Sequence, residues 1–135
     1  MREILFRAKA VRRGPEYRTE YQNGDWVYGF ITKKPNPYCP ELIPAEMRNE
    51  DGISGIGVDF DTVGQYIGMK DKNGVKIFEG DIVKNDSNMY EVKYLPEYMR
   101  FGYVKKGITW AYFKSDRCEI VGNVYDNHEM MEDIS

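Results

Sequence analysis

Residues 93–114 carry the densest chemistry in the chain. Lys93, Arg100, Lys105, Lys106 and Lys114 stand against the single carboxylate of Glu97, and five minus one leaves +4. Tyr94, Tyr98, Phe101, Tyr103, Trp110, Tyr112 and Phe113 are interleaved with them. Cations that meet phosphate and rings that stack on bases are the two needs of single-stranded nucleic-acid binding. Protein interfaces are enriched in the same aromatics and in Arg, and a small barrel uses such rings to fill its core. The candidate nucleic-acid or partner surface is Lys93, Arg100, Tyr103, Lys105, Lys106, Trp110 and Lys114.

Catalytic and metal chemistry finds less support. Glu79 and Asp81 are paired carboxylates, but Gly80 between them makes a turn the simpler account. Asp59 and Asp61 flank Phe60 and offer too few further oxygen ligands for a calcium loop, so a solvated turn or cap is expected. Cys39 and Cys118 are 79 positions apart, with no CxxC, and read as reduced thiols. His128 is the only histidine, so HExxH, three-His and two-His arrangements are absent. It is expected as an exposed helix-start residue. Gly52, Gly55 and Gly57 do not form a dinucleotide fingerprint, and there is no GK[ST] phosphate loop. No catalytic residue, cofactor site or metal site is assigned.

The elements that would position these residues are mostly strands. The 135 residues fit one domain, 14% of them are aromatic, and aromatics favour strands. A formal charge of −3 and a pI near 5.3 argue against a wholly basic nucleic-acid module. Mean hydropathy is −0.64, and no apolar run nears the roughly 18 residues of a membrane span. The opening Ile4-Leu5-Phe6 is too short for a signal peptide's apolar core. A cytoplasmic protein without membrane contact is expected.

Strands are predicted at Ile4–Ala8, Trp26–Ile31, Tyr66–Met69, Val75–Phe78, Ile82–Lys84, Met89–Tyr94, Thr109–Phe113 and Glu119–Val124. Trp26, Tyr28 and Phe30 share one face and Val27 and Ile31 the other, which predicts a central or sandwiched strand. Asn73-Gly74 predicts a type I′ or bulged hairpin turn. Pro35, Pro37, Pro40 and Pro44 make residues 33–50 a proline-rich excursion that cannot be a central strand. Within it, residues 41–47 suggest a short helical turn. Asn127 is a predicted N-cap for a short closing helix.

Residues 2–8, residues 62–83 with the run Thr62-Val63-Gly64-Gln65-Tyr66-Ile67-Gly68-Met69 through Asn73-Gly74 to Gly80-Asp81-Ile82-Val83, and Val121-Gly122-Asn123-Val124-Tyr125-Asp126-Asn127 together resemble the YopX-like family of phage and prophage proteins. Trp26-Val27-Tyr28-Gly29 is similar to the family's early element. The proline-rich excursion matches least, and His128 stands where the family pattern often has proline. The resemblance implies a small, β-rich, multimer-forming protein with an SH3-like barrel portion and carries over no catalytic residues.

The expected fold is all-β: a single domain over residues 1–135, SH3-like in its 60–125 portion, with additional strands, the 33–50 excursion and little helix. The expected function is that of a non-enzymatic phage or prophage accessory protein, acting by self-assembly and by binding a host or phage protein. The alternative is a nucleic-acid-binding barrel using residues 93–114. A weaker alternative is a small enzyme completed at a subunit interface.

Overall fold

A computed structural model describes residues 3–11, 21–106, 108–110 and 117–134. Strands dominate them, and no α-helix is described among them. In chain order the strands are β1 (Phe6–Ala10), β2 (Trp26–Lys33), β3 (Ala45–Asn49), β4 (Ile56–Lys70), β5 (Lys76–Phe78), β6 (Asp81–Asn85), β7 (Asn88–Leu95), β8 (Arg100–Lys105), β9 (Ile108–Trp110) and β10 (Cys118–Asn123). The helical elements are a 3-10 turn over Pro96–Tyr98 and a 3-10 helix over His128–Asp133. The all-β expectation holds. Contacts divide the chain into two compact units, Ile4–Gln65 and a second that runs on from Tyr66 and includes Glu3.

The first unit is a barrel-like ring of antiparallel strands. β1 pairs with β2, β2 with β3, β3 with the start of β4, and β4 returns to β1. A ring of so few strands has a narrow interior. Its sequence answers with small residues: Ala8, Ala10, Ala45, Val27 and Val58 are buried together with Met47 and Ile56. Gly29 faces Phe6 on one side and Asn49 on the other, and a β-carbon there would lie 2.0 Å from the Arg48 carbonyl oxygen. β2 is central, as its pattern predicted. Its outward rings are nevertheless open to solvent, with Tyr28 36% and Phe30 47% exposed.

The excursion is shorter than expected. Residues 45–49, included in it on the strength of the preceding prolines, are β3, a strand paired on both sides. All the prolines precede it, so its donors are intact. Ala45, Met47 and Asn49 are buried while Arg48 is exposed, the period-2 signature of a strand. The helical turn suggested at 41–47 is confined to Cys39–Ile43, where the Cys39 carbonyl accepts from the Leu42 and Ile43 N–H groups.

In the second unit β5 pairs with the end of β4, and five strands form a sheet in the order β10-β6-β7-β8-β9. Ile67, Ile77, Val83, Tyr90, Val92, Tyr103 and Cys118 form the core. Asn73-Gly74 makes the bulged form of its predicted turn. Gly74 is at φ 80° and donates to the Asp71 carbonyl, while Asn73 keeps negative φ, so the turn is not type I′. Glu79-Gly80-Asp81 is a turn, closed by the Phe78 N–H donating to the Asp81 carboxylate at 2.8 Å. Asn127 precedes the 3-10 helix but does not cap it. Its Oδ1 accepts from the Asn123 N–H instead. The described strand at Ile108–Trp110 is shorter than the predicted 109–113, whose last three residues lie outside the described residues.

Asp71 ties these elements together. Its buried carboxylate accepts the N–H groups of Asn73 (2.9 Å) and Val75 (3.0 Å) in the turn and of Ile120 (3.0 Å) on β10. Burial pushes its pKa up. The backbone donors of Ile120, Val75 and Asn73, with Lys72 beside it, outweigh that and hold it below the ordinary 3.8.

Gly29→Ala is expected to lower the unfolding free energy by about 2 kcal/mol, because strand must move to admit the methyl. An unchanged urea midpoint would show that the ring is not this tight. Asp71→Asn turns an acceptor toward the Ile120 N–H into a donor and is expected to cost about 1–3 kcal/mol at neutral pH. A lowered folded pKa gives stability that is present above the unfolded value and lost as pH falls through the folded one. The gap between wild type and Asp71→Asn should therefore narrow below about pH 4. A gap independent of pH would remove the ionised carboxylate from this role.

Candidate functional site

β1 and β4 do not pair evenly. Arg7 faces Gly64, yet Lys9 faces Asp59, so β4 carries residues 60–63 opposite Ala8 alone. A bulge of this kind bends its strand and re-aims side chains. Thr62 holds it in place. The Lys9 N–H donates to Thr62 Oγ1 at 2.8 Å, and the Thr62 hydroxyl donates to the Asp59 carbonyl at 2.7 Å. Asp59 Oδ1 accepts the Asp61 N–H at 3.0 Å. Asp59 and Asp61 therefore form the turn expected of them. No group of three or more ligating side chains suited to a metal ion occurs among the described residues.

Opposite the bulge lies the loop over residues 34–44. The Asn36 N–H donates to the Ile43 carbonyl at 2.9 Å and closes its base. Asn36 Oδ1 accepts the Tyr38 N–H at 2.8 Å. Proline fixes φ near −65°, so this loop has little backbone freedom to lose. Between loop and bulge is an open groove of about 400 Å³. Val11, Pro35, Pro40, Pro44, Ala45, Val58 and Phe60 give it apolar walls, and Glu41, Asp59 and Asp61 add three carboxylates. That volume falls in the usual range for ligand sites. An apolar wall with anionic groups suits a ligand that pairs an apolar body with a positive charge.

The basic-aromatic candidates are only partly gathered. Lys93 and Arg100 are exposed on the β7–β8 hairpin, near the exposed Tyr94 and Tyr98. Tyr103 is 2% exposed and belongs to the core, a correction to its place among surface candidates. It falls on the same strand face as Phe101, and the alternation of β8 turns that face inward. Lys105 is half-buried, and its Nζ donates to Asn88 Oδ1 at 2.6 Å. Lys106 is exposed, with its N–H donating to the Ile134 carbonyl. Trp110 contributes the β9 backbone opposite Tyr103, and Lys114 lies outside the described residues.

His128 is exposed at the start of its 3-10 helix, as expected. Cys39 and Cys118 are free thiols. Burial pushes the Glu91 carboxyl up, against the opposing pull of Lys93. Glu91 sits in register between Ile82 and Val104 and does not line the groove. No helix among the described residues is long and apolar enough to cross a membrane.

Sequence reasoning treated the loop and the Asp-Phe-Asp run separately and missed the groove they form. The one available signal was a phenylalanine flanked by carboxylates, which a regular strand would turn to the face opposite them and which the bulge leaves exposed. Thr62→Val keeps the shape of the side chain and removes both hydrogen bonds. It is expected to cost about 1–3 kcal/mol in urea unfolding. A variant as stable as wild type would show that the bulge does not depend on this hydroxyl.

Comparison with known proteins fits this fold. The crystal structure of protein EF1440 from Enterococcus faecalis is similar with a TM-score of 0.50 and 22% identity, over 97% of this chain and 99% of that one. At that identity the likeness concerns the fold alone. None of the curated proteins is detectably similar in sequence. The sequence pattern of the YopX protein family matches residues 6–132, nearly the whole chain, and the chain belongs to that family.

Proposed function

We propose that this chain is a non-enzymatic accessory protein of phage or prophage origin that works by binding other polypeptides, and that the groove between the 34–44 loop and the β4 bulge is where it binds them. The observation that carries this reading is the composition of the groove: apolar walls and three carboxylates around about 400 Å³. Tyr38 and Leu42 extend the apolar surface on the loop, at 93% and 73% exposed. Large side chains left in water at this density mark interaction sites in soluble proteins. A polypeptide that presents an aromatic or aliphatic side chain beside Arg or Lys satisfies both halves of the groove.

A second reading has its own observation. On the outer face of the ring each aromatic residue of β2 has a cation as cross-strand neighbour: Lys9 opposite Trp26, Arg7 opposite Tyr28 and Arg48 opposite Phe30, of which Arg7 is itself buried. The Arg7 guanidinium lies 4.4 Å from the Trp26 ring centre. Rings and cations in alternation are the requirements of single-stranded nucleic acid. This adds the ring to residues 93–114 as a surface for the nucleic-acid alternative.

The test is a pair of labelled short peptides, one joining Tyr, Met and Leu to Arg, the other carrying Glu in place of Arg. The first is expected to bind with a Kd of about 10–100 μM, to weaken with salt, and to lose about tenfold on Phe60→Ser. Equal binding of both peptides, or binding indifferent to Phe60→Ser, would overturn the groove reading. A salt-sensitive shift with an oligonucleotide, lost on Phe30→Ala, would favour the second.

A further inference from the structure

The face of the second sheet that turns away from its core is not left to solvent. Directly opposed residues of antiparallel strands point to the same side. Gly122 on β10, Ile82 on β6, Glu91 on β7 and Val104 on β8 therefore make one row across that face. The core residues Val83, Tyr90, Val92 and Tyr103 belong to the other face. Ile82 is nonetheless fully buried. The residues after β10 account for this. A β-carbon on Gly122 would lie 2.6 Å from Asn127 Oδ1 and 3.2 Å from Met130 Sδ, so the closing segment starts flush against the row. It ends just past β8, where the Ile134 carbonyl accepts the Lys106 N–H and Ile134 itself is buried. Residues 124–134 thus run as a strap from β10 to the end of β8, across β6 and β7. The strap is weakly made. Its 3-10 helix runs six residues, where 3-10 runs beyond about three or four are uncommon, and no side chain caps it.

Glu91 is the one carboxyl in the covered row. Burial raises its pKa above the ordinary 4.5, against the pull of Lys93 two residues on along the same face. On β6 the nearest charge is Lys84, beyond Ile82 and opposed to Met89 and to Glu119 of β10. On β8 the opposed residues are Val104 and Gly102, which carry no charge. The strap brings His128 and the carboxyls of Asp126, Glu129, Glu132 and Asp133, with no lysine or arginine. We infer that residues 124–134 form a reversible strap, which closes over the row when Glu91 takes up a proton and loosens when Glu91 is ionised. Closing strips water from this carboxyl, so the proton is held more tightly under the strap than away from it. A group whose pKa is raised in the closed state favours closing fully below its ordinary value, and that contribution is lost as pH rises through the closed-state one. Acid therefore fastens the strap, and neutral pH frees it to uncover Ile82 and Gly122. The device lies wholly within the second unit and is independent of the groove.

The Lys106 amide reads closure, since its acceptor is the end of the strap. Its hydrogen exchange, corrected for the intrinsic effect of pH, is followed in the full chain between about pH 5 and 7.5. Asp71 is held below 3.8 and stays ionised throughout that range. Wild type is expected to protect Lys106 at least about threefold more at the acid end, relative to the core amides of β6 and β7. Glu91→Gln, neutral at every pH, should keep the acid level of protection throughout. Gly122→Ala should lose it throughout, because the added carbon meets Asn127. His128→Gln removes the only histidine and should leave the wild-type response in place. Protection of Lys106 that is independent of pH in wild type would overturn the inference. So would a response that persists in Glu91→Gln or disappears in His128→Gln, and so would full protection in Gly122→Ala.

Discussion

Closing a ring with few strands is the constraint on which the first unit depends. The interior has room for alanines, valines, one isoleucine and one unbranched methionine, and at Gly29 for no side chain at all. β4 keeps its pairing with β1 on both sides of Ala8 only by taking up extra residues within that pairing. Those residues are Phe60, Asp61, Thr62 and Val63. Thr62 turns inward to supply the hydrogen bonds that the interrupted ladder lacks, which leaves Phe60 facing solvent. The groove is thus a by-product of closure: the step that completes the ring also places an aromatic wall between two carboxylates and aims it at the proline loop.

The second unit solves a different problem. β5 is short, and a short hairpin is marginal unless something else holds it. Asp71 does so by collecting backbone donors from both the turn and β10. A carboxylate that accepts several N–H groups can be buried without losing its charge, because those groups stand in for the water it gave up. Asn49 does comparable work in the ring. Its Oδ1 accepts from Asp51 and Ile53, while its Nδ2 donates to the Tyr21 hydroxyl. In both units a short polar side chain organises a turn that apolar packing alone would leave loose.

A net charge of −3 hides a strongly uneven distribution. Carboxylates collect at the groove, while cations collect beside the β2 aromatics and on the β7–β8 hairpin. Charged surfaces of this kind steer partners of opposite sign, and salt weakens that steering. They also restrict which orientations are productive, so specificity comes from pattern more than from total charge.

Composition and period-2 alternation determined that this chain is all-β, and the short-range signals were legible with them. Asn73-Gly74 marked its hairpin, Glu79-Gly80-Asp81 its turn, and Trp26–Ile31 a central strand. These features depend on residues within a few positions of one another, and so a local reading suffices. β3 was lost because prolines just before it coloured the whole stretch, although a proline removes only its own donor. Whether Tyr103 faced water or core was not legible either, since alternation gives two faces without saying which is buried. The groove could not be read at all. It depends on Asp59 pairing with Lys9 and on Gly64 pairing with Arg7, a register set across some fifty positions by how the ring closes. Sequence determined the strands and their turns. Only tertiary structure decided the offset between β1 and β4, because that offset is the sum of every pairing around the ring, and the site follows from it.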